Sequence, residues 1–545
     1  MNNFIKRNCF HVLGFLFILL LFYIFFYGLG DYGLLAKDEP RYSGCALEML
    51  ENNNWIVPKF NFQDRFDKPA LFYWLIAISY KLFGVNEFSS RIPSALSAVL
   101  LVLFTWYIGK KVLGRTAGFL SAIILATSIE YIFLGRRAAT DIVLCFFFSA
   151  SLYSMYLGYF IKDIKVKIFW TILSGVFSGL AILTKGPIGI VFPLGILTLF
   201  LIFRKQFDVR HLKVYFIISF IALIVSLPWY IAVHAATGGA FTRDFFFTHN
   251  IERFTSVVGE HPGPAWFYFP VVLIGFMPWT IFFLHALFNL FSGYKRKHFN
   301  KFVLFCLIWF FVIFIFFTFC KTKMATYILL LFPAMSLVTG YWINIIGRKY
   351  FKALKYTIIS LLMILICAVA ILCFLLPTTT LYDIDKNFLI QALFLSFCFF
   401  ILGAILLSRL PKKHLSLISG FIFSIIIPII YVLVLGLNGY YKITFSELRD
   451  YARLAKLQYG ADEIISFGGY KPILVYYGRV PVDFSSKNEQ VKKIKEKLST
   501  GKESYVIGYL SDLKVDKPIV KKNLDTFKRL TLLRAGRKYF LGRFS

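Results

Sequence analysis

Apolar runs long enough to cross a membrane alternate with short Lys/Arg clusters along most of this chain. Thirteen runs can be read, near 11–29, 90–109, 116–134, 141–160, 168–184, 187–203, 214–233, 266–290, 302–320, 325–345, 357–377, 387–408 and 415–437. A helix needs ~20 apolar residues to cross the hydrocarbon core. The first run follows Lys6 and Arg7, lacks a small-residue cleavage site and precedes further runs, so it reads as a retained anchor. The clusters Lys110–Arg115, Lys162–Lys167, Arg204–Lys213, Lys295–Lys301, Arg348–Lys355 and Arg409–Lys413 fall on every second connection, on the side of Lys6 and Arg7. Lys and Arg mark cytoplasmic loops. The pattern predicts a cytoplasmic N-terminus and, with thirteen spans, an external C-terminus.

Two external stretches interrupt the spans, and a third region follows them. Residues 30–90 predict juxtamembrane helices: one from Glu39-Pro40 to about Asn52, with Pro at its first position, and one over 69–83 that begins at Pro69. The second external loop is 234–265. The chain then divides into a transmembrane domain, 1–438, and a small external α/β domain, 439–545. In the latter, Ser446–Gln458 and Lys492–Leu498 read as helices. Glu463–Phe467, Ile473–Tyr477 and Tyr505–Tyr509 read as strands. The predicted fold class is an α-helical polytopic membrane protein of about 13 transmembrane helices, with this domain attached.

Composition agrees with that reading. Of 545 residues, 58% are hydrophobic and mean hydropathy is +0.70, which excludes an ordinary soluble globular protein. The formal charge of +32 does not imply nucleic acid, because no recognition module accompanies it. Part of it is the cytoplasmic loop bias, and part is a Lys-rich tail suited to anionic lipid headgroups. Cys145, Cys306, Cys367, Cys373 and Cys398 lie within spans without CxxC spacing and read as small core residues. Gly114/Gly118 and Gly175/Gly179 have the spacing that lets membrane helices approach closely.

The basic residues that break the charge rule carry the chemical information. Arg41, Lys68, Arg136, Arg137, Lys185, Arg243, Arg253, Lys321 and Lys323 gather on the external side, with Asp38, Asp67 and Asp141. Cations beside acids at a membrane surface suit an anionic substrate. Each motif also has a plainer reading. Asp38-Glu39-Pro40-Arg41 and Asp67-Lys68-Pro69 resemble helix starts with Asp as cap, although the cations then face the positive dipole end. Lys185 in Thr184-Lys185-Gly186-Pro187, and Lys321/Lys323, repeat that conflict at apparent span starts, and a bound phosphate would relieve it. Arg136-Arg137 with Asp141 is either a local ion pair, a lipid-phosphate contact, or part of the site. His249, Glu252 and His261 are either ordinary loop residues or metal ligands, without a standard zinc spacing.

In order along the chain stand Asp38-Glu39-x-Arg41-Tyr42, Asp67-Lys68-Pro69 leading to Tyr73-Trp74, Arg91-x-Pro93, Asp141, and Lys185-Gly186-Pro187. Asn250–Phe254, Pro264-x-Trp266, Lys321–Tyr327 and Pro333 follow. In these motifs, over residues 25–340, the chain resembles multispanning glycosyltransferases that transfer 4-amino-4-deoxy-L-arabinose to lipid A, with protein O-mannosyltransferases as more distant relatives. The resemblance implies a polyprenyl-phosphate-linked sugar donor, a lipid A or related glycolipid acceptor, and a bacterial inner membrane location with the active site facing outward. It implies catalytic roles for Asp38 and Asp141, donor-phosphate contacts from Lys68, Arg253 and Tyr327, and a divalent metal held by Asp67 and His249; the charge pattern adds Arg41 and Lys185 as donor-phosphate contacts. Where the family often has Glu, this chain has the shorter Asp67. A protein or polysaccharide acceptor is the alternative within the architecture. A non-enzymatic lipid carrier is the alternative outside it, and would hold its polar site nearer the midplane.

Overall fold

The computed structural model describes residues 2–35, 37–252, 263–291, 300–349, 445–467, 469–513, 517, 519, 523–536 and 538–544. The spans expected at 357–377, 387–408 and 415–437 lie outside the described residues. The chain divides into two compact units. One comprises 1–29, 66–72 and 91–434; the other comprises 30–65, 73–90 and 435–545.

The first unit is helical. Its elements are α1 (Asn2–Phe26), most of α4 (Glu87–Val112), α5 (Arg115–Ala126), α6 (Ile129–Gly135), α7 (Thr140–Phe160), α8 (Ile164–Lys185), α9 (Ile188–Phe203) and α10 (Arg210–Ala236). The short α11 (Ala240–Arg243) runs into a π-helical turn, Asp244–Glu252; then come α12 (Tyr268–Gly275), α13 (Thr280–Phe291), α14 (Lys301–Phe319) and α15 (Phe332–Lys349). Among the described residues six helical stretches are long and apolar enough to cross a membrane, or eight if each of two bent pairs counts once. The molecule is a multi-pass membrane protein. In the described part, the run at 187–203 forms a shorter apolar helix, α9.

Two expected spans are broken. The 116–134 run bends by 65° between α5 and α6, and the 266–290 run by 116° between α12 and α13. At the first break Thr127 and Ser128 turn their hydroxyls back to the Ile123 and Ile124 carbonyls, each at 2.7 Å. Such back-bonding satisfies carbonyls and bends helices. At the second, Pro278 brings no N–H to the ladder. The two breaks meet: Ile129 N donates to Met277 O at 3.2 Å, and Trp279 Nε1 donates to Thr127 Oγ1 at 2.7 Å. The apolar run passes straight through both bends because each half stays apolar, whether its side chains are buried or face outward like Phe269, Ile274 and Leu284.

Close helix packing uses small residues. A Cβ on Gly175 or Gly179 of α8 would stand 2.7 and 2.6 Å from the Cβ atoms of Ile221 and Val225 on α10. Only glycine permits that approach. Gly118 likewise meets Gly109 and Lys110 of α4, whereas Gly114 serves the turn before α5, at φ 98°. Cys145 and Cys306 are buried as free thiols, and the other span cysteines named above lie outside the described residues.

The second unit joins the juxtamembrane segments to the C-terminal residues. It contains α2 (Asp38–Glu51), the hairpin β1–β2 (Lys59–Phe60, Gln63–Asp64), most of α3 (Leu71–Phe83), and α16 (Ser446–Leu457). A five-stranded sheet has order β4-β3-β5-β7-β6. Its strands are β3 (Ile464–Phe467), β4 (Val482–Asp483), β5 (Ser504–Tyr509), β6 (Leu530–Ala535) and β7 (Tyr539–Phe544), with helices α17 (Ile473–Gly478), α18 (Lys487–Ser499) and α19 (Leu524–Lys528). β3 runs parallel to both β4 and β5, while β7 is antiparallel to β5 and β6. Ile465, Phe467, Val491, Ile494, Val506 and Phe540 form the core beneath α18. Ile473–Tyr477, expected as strand, is helix α17. It is buried on all sides, so no polar face marked its period, and the parallel step from β3 to β4 requires a crossover there. The juxtamembrane part is tied in by Tyr477, whose hydroxyl donates to Glu87 Oε1 at 2.8 Å and accepts from Leu34 N at 3.1 Å. Asn61 adds a bond from its Nδ2 to Val482 O at 2.9 Å.

Candidate active site

α7 and α8 are a helical hairpin joined by three residues, and they have nearly equal lengths of 21 and 22 residues. The start of α7 and the end of α8 therefore share one end of the bundle, which brings Asp141 to Lys185 across 44 positions. Ser151 Oγ fixes the register, lying 3.2 Å from Ser174 Oγ and 2.8 Å from Ser178 Oγ on α8. At the shared end Lys185 Nζ donates to Asp141 Oδ1 at 2.6 Å, both side chains being about 15% exposed. The ammonium also lies 4.7 Å from the ring centroid of Tyr327, on the 3₁₀ turn Ala325–Leu331 before α15.

These groups open onto one cavity of about 290 Å³. Asp67 and Lys68, from the loop before α3, join Asp141, Lys185, Thr322, Thr326 and Tyr327 in its wall. Lys68 is buried, and its Nζ donates to the Asp67 carbonyl at 2.8 Å. The rest of the wall is apolar: Ile188, Val191 and Phe192 of α9, Phe316 and Phe317 of α14, with Leu144, Phe245 and Leu330. Cations and hydroxyls thus share the lining with aliphatic and aromatic side chains, Phe317 packing 5.1 Å from Tyr327 between ring centroids. That combination suits an anionic headgroup on an apolar chain.

Several sequence expectations change. Lys185 is the last residue of α8 and not the start of a span. A cation is favourable there, and Gly186, at φ 97°, begins the turn into α9. Lys323 similarly serves the preceding helix: its buried Nζ donates to Phe317 O at 3.0 Å and Thr318 O at 2.5 Å at the end of α14. Burial lowers its ammonium pKa, with Cys320 opposing. Arg136 is buried and caps α1 through the Ile24 and Tyr27 carbonyls at 2.6 and 2.5 Å, while Arg137 stacks over Phe133. Asp141 is the second residue of α7 and makes no cap there. The dipole conflict that suggested an anion is therefore removed at Lys185 and Lys323 and remains at Lys68, before α3.

Asp38 and Arg41 belong to the second unit. Asp38 is the first residue of α2 and makes no side-chain cap. The adjacent Glu39 turns back instead to the loop before the helix, accepting from Leu35 N at 2.6 Å. Arg41 pairs with Asp38 and donates its Nε to Lys37 O at 3.0 Å, so α2 compensates this cation itself. His249 lies in the π-helical turn, but its side chain is not among those described; Arg253 and His261 lie outside the described residues. Among the described residues no three His, Cys, Asp or Glu side chains group as metal ligands. The reading from sequence missed Thr322 and Thr326, although both lie inside the Lys321–Tyr327 stretch it used.

Residues 67–231 match the family model of dolichyl-phosphate-mannose-protein mannosyltransferases. A protein of Aquifex aeolicus is 32% identical over 338 residues, covering 62% of this chain and 74% of that one. The undecaprenyl phosphate-alpha-4-amino-4-deoxy-L-arabinose arabinosyl transferase of Shewanella sediminis is 31% identical over 337 residues, again 62% of this chain. The chain belongs to one family with the Aquifex protein, and over part of its length it is similar to membrane sugar transferases. The match spans 61% of the Shewanella transferase. The crystal structure of ArnT from Cupriavidus metallidurans bound to undecaprenyl phosphate superposes with a TM-score of 0.81 over 97% of both chains, at 19% identity. That likeness carries the fold: a polytopic helical membrane protein with a small C-terminal α/β domain, as the hydrophobic pattern predicted.

Proposed function

We propose that this member of the family is a glycosyltransferase of the bacterial inner membrane, moving a sugar from a polyprenyl-phosphate donor to lipid A or a related envelope glycolipid. The observation that carries the reading is a single cavity whose lining combines the cations Lys68 and Lys185 with Tyr327 and the apolar Val191, Phe192, Phe316 and Phe317. The relatives named for undecaprenyl-phosphate aminoarabinose transfer, and the ArnT structure bound to undecaprenyl phosphate, support the same chemistry. The external orientation of the site follows from the alternating charge of the loops.

Breaking the sugar–phosphate bond leaves negative charge on the lipid phosphate. Lys68 and Lys185 are the cations available at the cavity to stabilise it, with Arg253 assigned the same task by resemblance. Asp141 accepts one hydrogen bond from Lys185 and orients it, so an incoming phosphate meets a preorganised ammonium at little reordering cost. Asp38 is assigned to positioning the acceptor, or to deprotonating it when the acceptor is a hydroxyl. A lipid A phosphate is already ionised near pH 7 and requires no base. Asp67 and His249 remain the proposed ligands of a divalent ion, which would supply further charge stabilisation to the leaving phosphate.

The direct test is transfer of radiolabelled sugar from a polyprenyl-phosphate donor to lipid A by the protein in detergent, with mass spectrometry of lipid A from cells with and without the gene. Activity on lipid A that falls in Lys68→Ala, with rising donor demand, supports the reading. Transfer only to protein or polysaccharide would move the acceptor class. An intact folded protein with no transfer but lipid translocation would replace the enzyme by a carrier.

A further inference from the structure

The C-terminal sheet has a feature that the glycosyl-transfer reading does not use. From β3 the chain leaves toward β4 through α17, and from β5 it leaves the other way, toward β6 through α19. β3 and β5 are parallel neighbours, so their carboxyl ends form a topological switch point, where open α/β sheets take ligands. Cations stand there. Lys471, four residues past Phe467 at the end of β3, is buried, with Nζ 3.2 Å from Phe467 O and 4.8 Å from the ring centroid of Tyr509, the last residue of β5. Lys487, the first residue of α18, lies 5.2 Å over the Phe467 ring and 2.8 Å from Asp512 Oδ1. Asp512 thus pairs with Lys487, and its charge reaches Lys471 only at longer range. Among the described residues the Phe467 carbonyl is the hydrogen-bond acceptor for Lys471, which leaves that ammonium with capacity to donate. Tyr509 is 38% exposed, so the switch point opens to solvent beside the buried cation.

We propose that the switch point of the C-terminal domain binds a phosphate group, held by Lys471 and Lys487 between the ends of β3 and β5. Charge-assisted bonds to phosphate would supply the acceptors that a buried ammonium lacks. The phosphate is either free or part of a lipid headgroup. The groups facing Lys471 are Asp512, which favours its charged form, Lys487, which opposes it, and the Tyr509 ring. Burial is the larger effect and pulls the Lys471 ammonium from 10.5 to about 8.

The test reads this lysine directly in the full-length protein. Acetic anhydride labels only neutral amines, and peptide mass spectrometry reports the rate at Lys471 near pH 8, with Lys456 and Lys502 as internal references. Bound phosphate that raised the ammonium by one unit would cut its neutral fraction from a half to about a tenth, slowing labelling about fivefold. Inorganic phosphate is added to detergent-solubilised protein in one arm. In the other, nanodiscs of phosphatidylglycerol are compared with phosphatidylcholine without free phosphate. Protection in the first arm alone identifies a free anion, and in the second alone a headgroup. In Lys471→Met, with an unchanged melting curve, phosphate protection of Lys487 should be lost; if that variant misfolds, the wild-type rates decide. Equal Lys471 labelling under every condition overturns the proposal. Anion bound at the membrane cavity does not change this readout, so failure here leaves the glycosyltransferase reading intact.

Discussion

Replacing Lys185 by Met separates the structural from the catalytic use of the Asp141–Lys185 pair. The ammonium and carboxylate are 2.6 Å apart and about 15% exposed. Removing one partner of such a pair strands the other charge in poorly hydrated surroundings, typically costing ~3–5 kcal/mol. Lys185→Met should therefore lower the melting temperature in detergent clearly. Asp141→Asn/Lys185→Met removes both charges and keeps most of the volume, so it should recover most of that loss. Transfer should behave differently. If Lys185 stabilises the donor phosphate, its loss removes a charge-assisted contact worth ~1.5–3 kcal/mol, roughly ten- to a hundredfold. That deficit should persist in the double variant, which is folded but still lacks the cation. Melting curves give the stability cycle, and donor saturation with a radiolabelled polyprenyl-phosphate sugar gives the functional one. Equal melting temperatures in wild type, Lys185→Met and the double variant would refute the buried pair. Recovery of donor saturation in the double variant would refute a phosphate contact by Lys185.

Asp38→Asn should cut transfer by at least ~100-fold, the range for lost base or electrostatic help, while stability barely changes, since half-exposed ion pairs contribute ~0–1 kcal/mol; near-normal turnover would remove Asp38 from the mechanism. Gly179→Val should lower the melting temperature by forcing side-chain atoms into Val225 and the Ala222 carbonyl, with overpacking typically costing ~1–3 kcal/mol; an unchanged melt would show that α8 and α10 separate freely. Reporter fusions after Lys301 and at Ser545 should report opposite compartments, and the same compartment for both would end the thirteen-span reading.

Hydrophobic length and loop charge are local properties, and they made the membrane class, most described spans and both juxtamembrane helices legible in the sequence. Helix α2 was expected from Glu39-Pro40 and begins at Asp38; α3 was expected at Pro69 and begins at Leu71. The ordered motifs likewise singled out Asp67, Lys68, Asp141, Lys185 and Tyr327, because a charged residue beside an apolar run is conspicuous whatever its partner. Partners were another matter. The sequence put Arg136, Arg41, Lys185 and Lys323 in one class of cations awaiting an anion. Tertiary structure separated them: Arg136 satisfies carbonyls of α1 more than 100 positions away, Lys323 closes α14, Arg41 turns to Asp38, and Lys185 meets Asp141 through the α7–α8 hairpin. For Arg41 and Lys323 the partner is a near neighbour whose choice depends on where the helix starts or ends. For Arg136 and Lys185 it depends on helix lengths and crossings that no local pattern encodes. The same reason hid the bends at 127–128 and 276–279, since an apolar run reads alike whether its helix is straight or broken. Only the folded chain could place Tyr477 against Leu34 and Glu87, because contacts across some 400 residues leave no periodic trace in the chain that makes them.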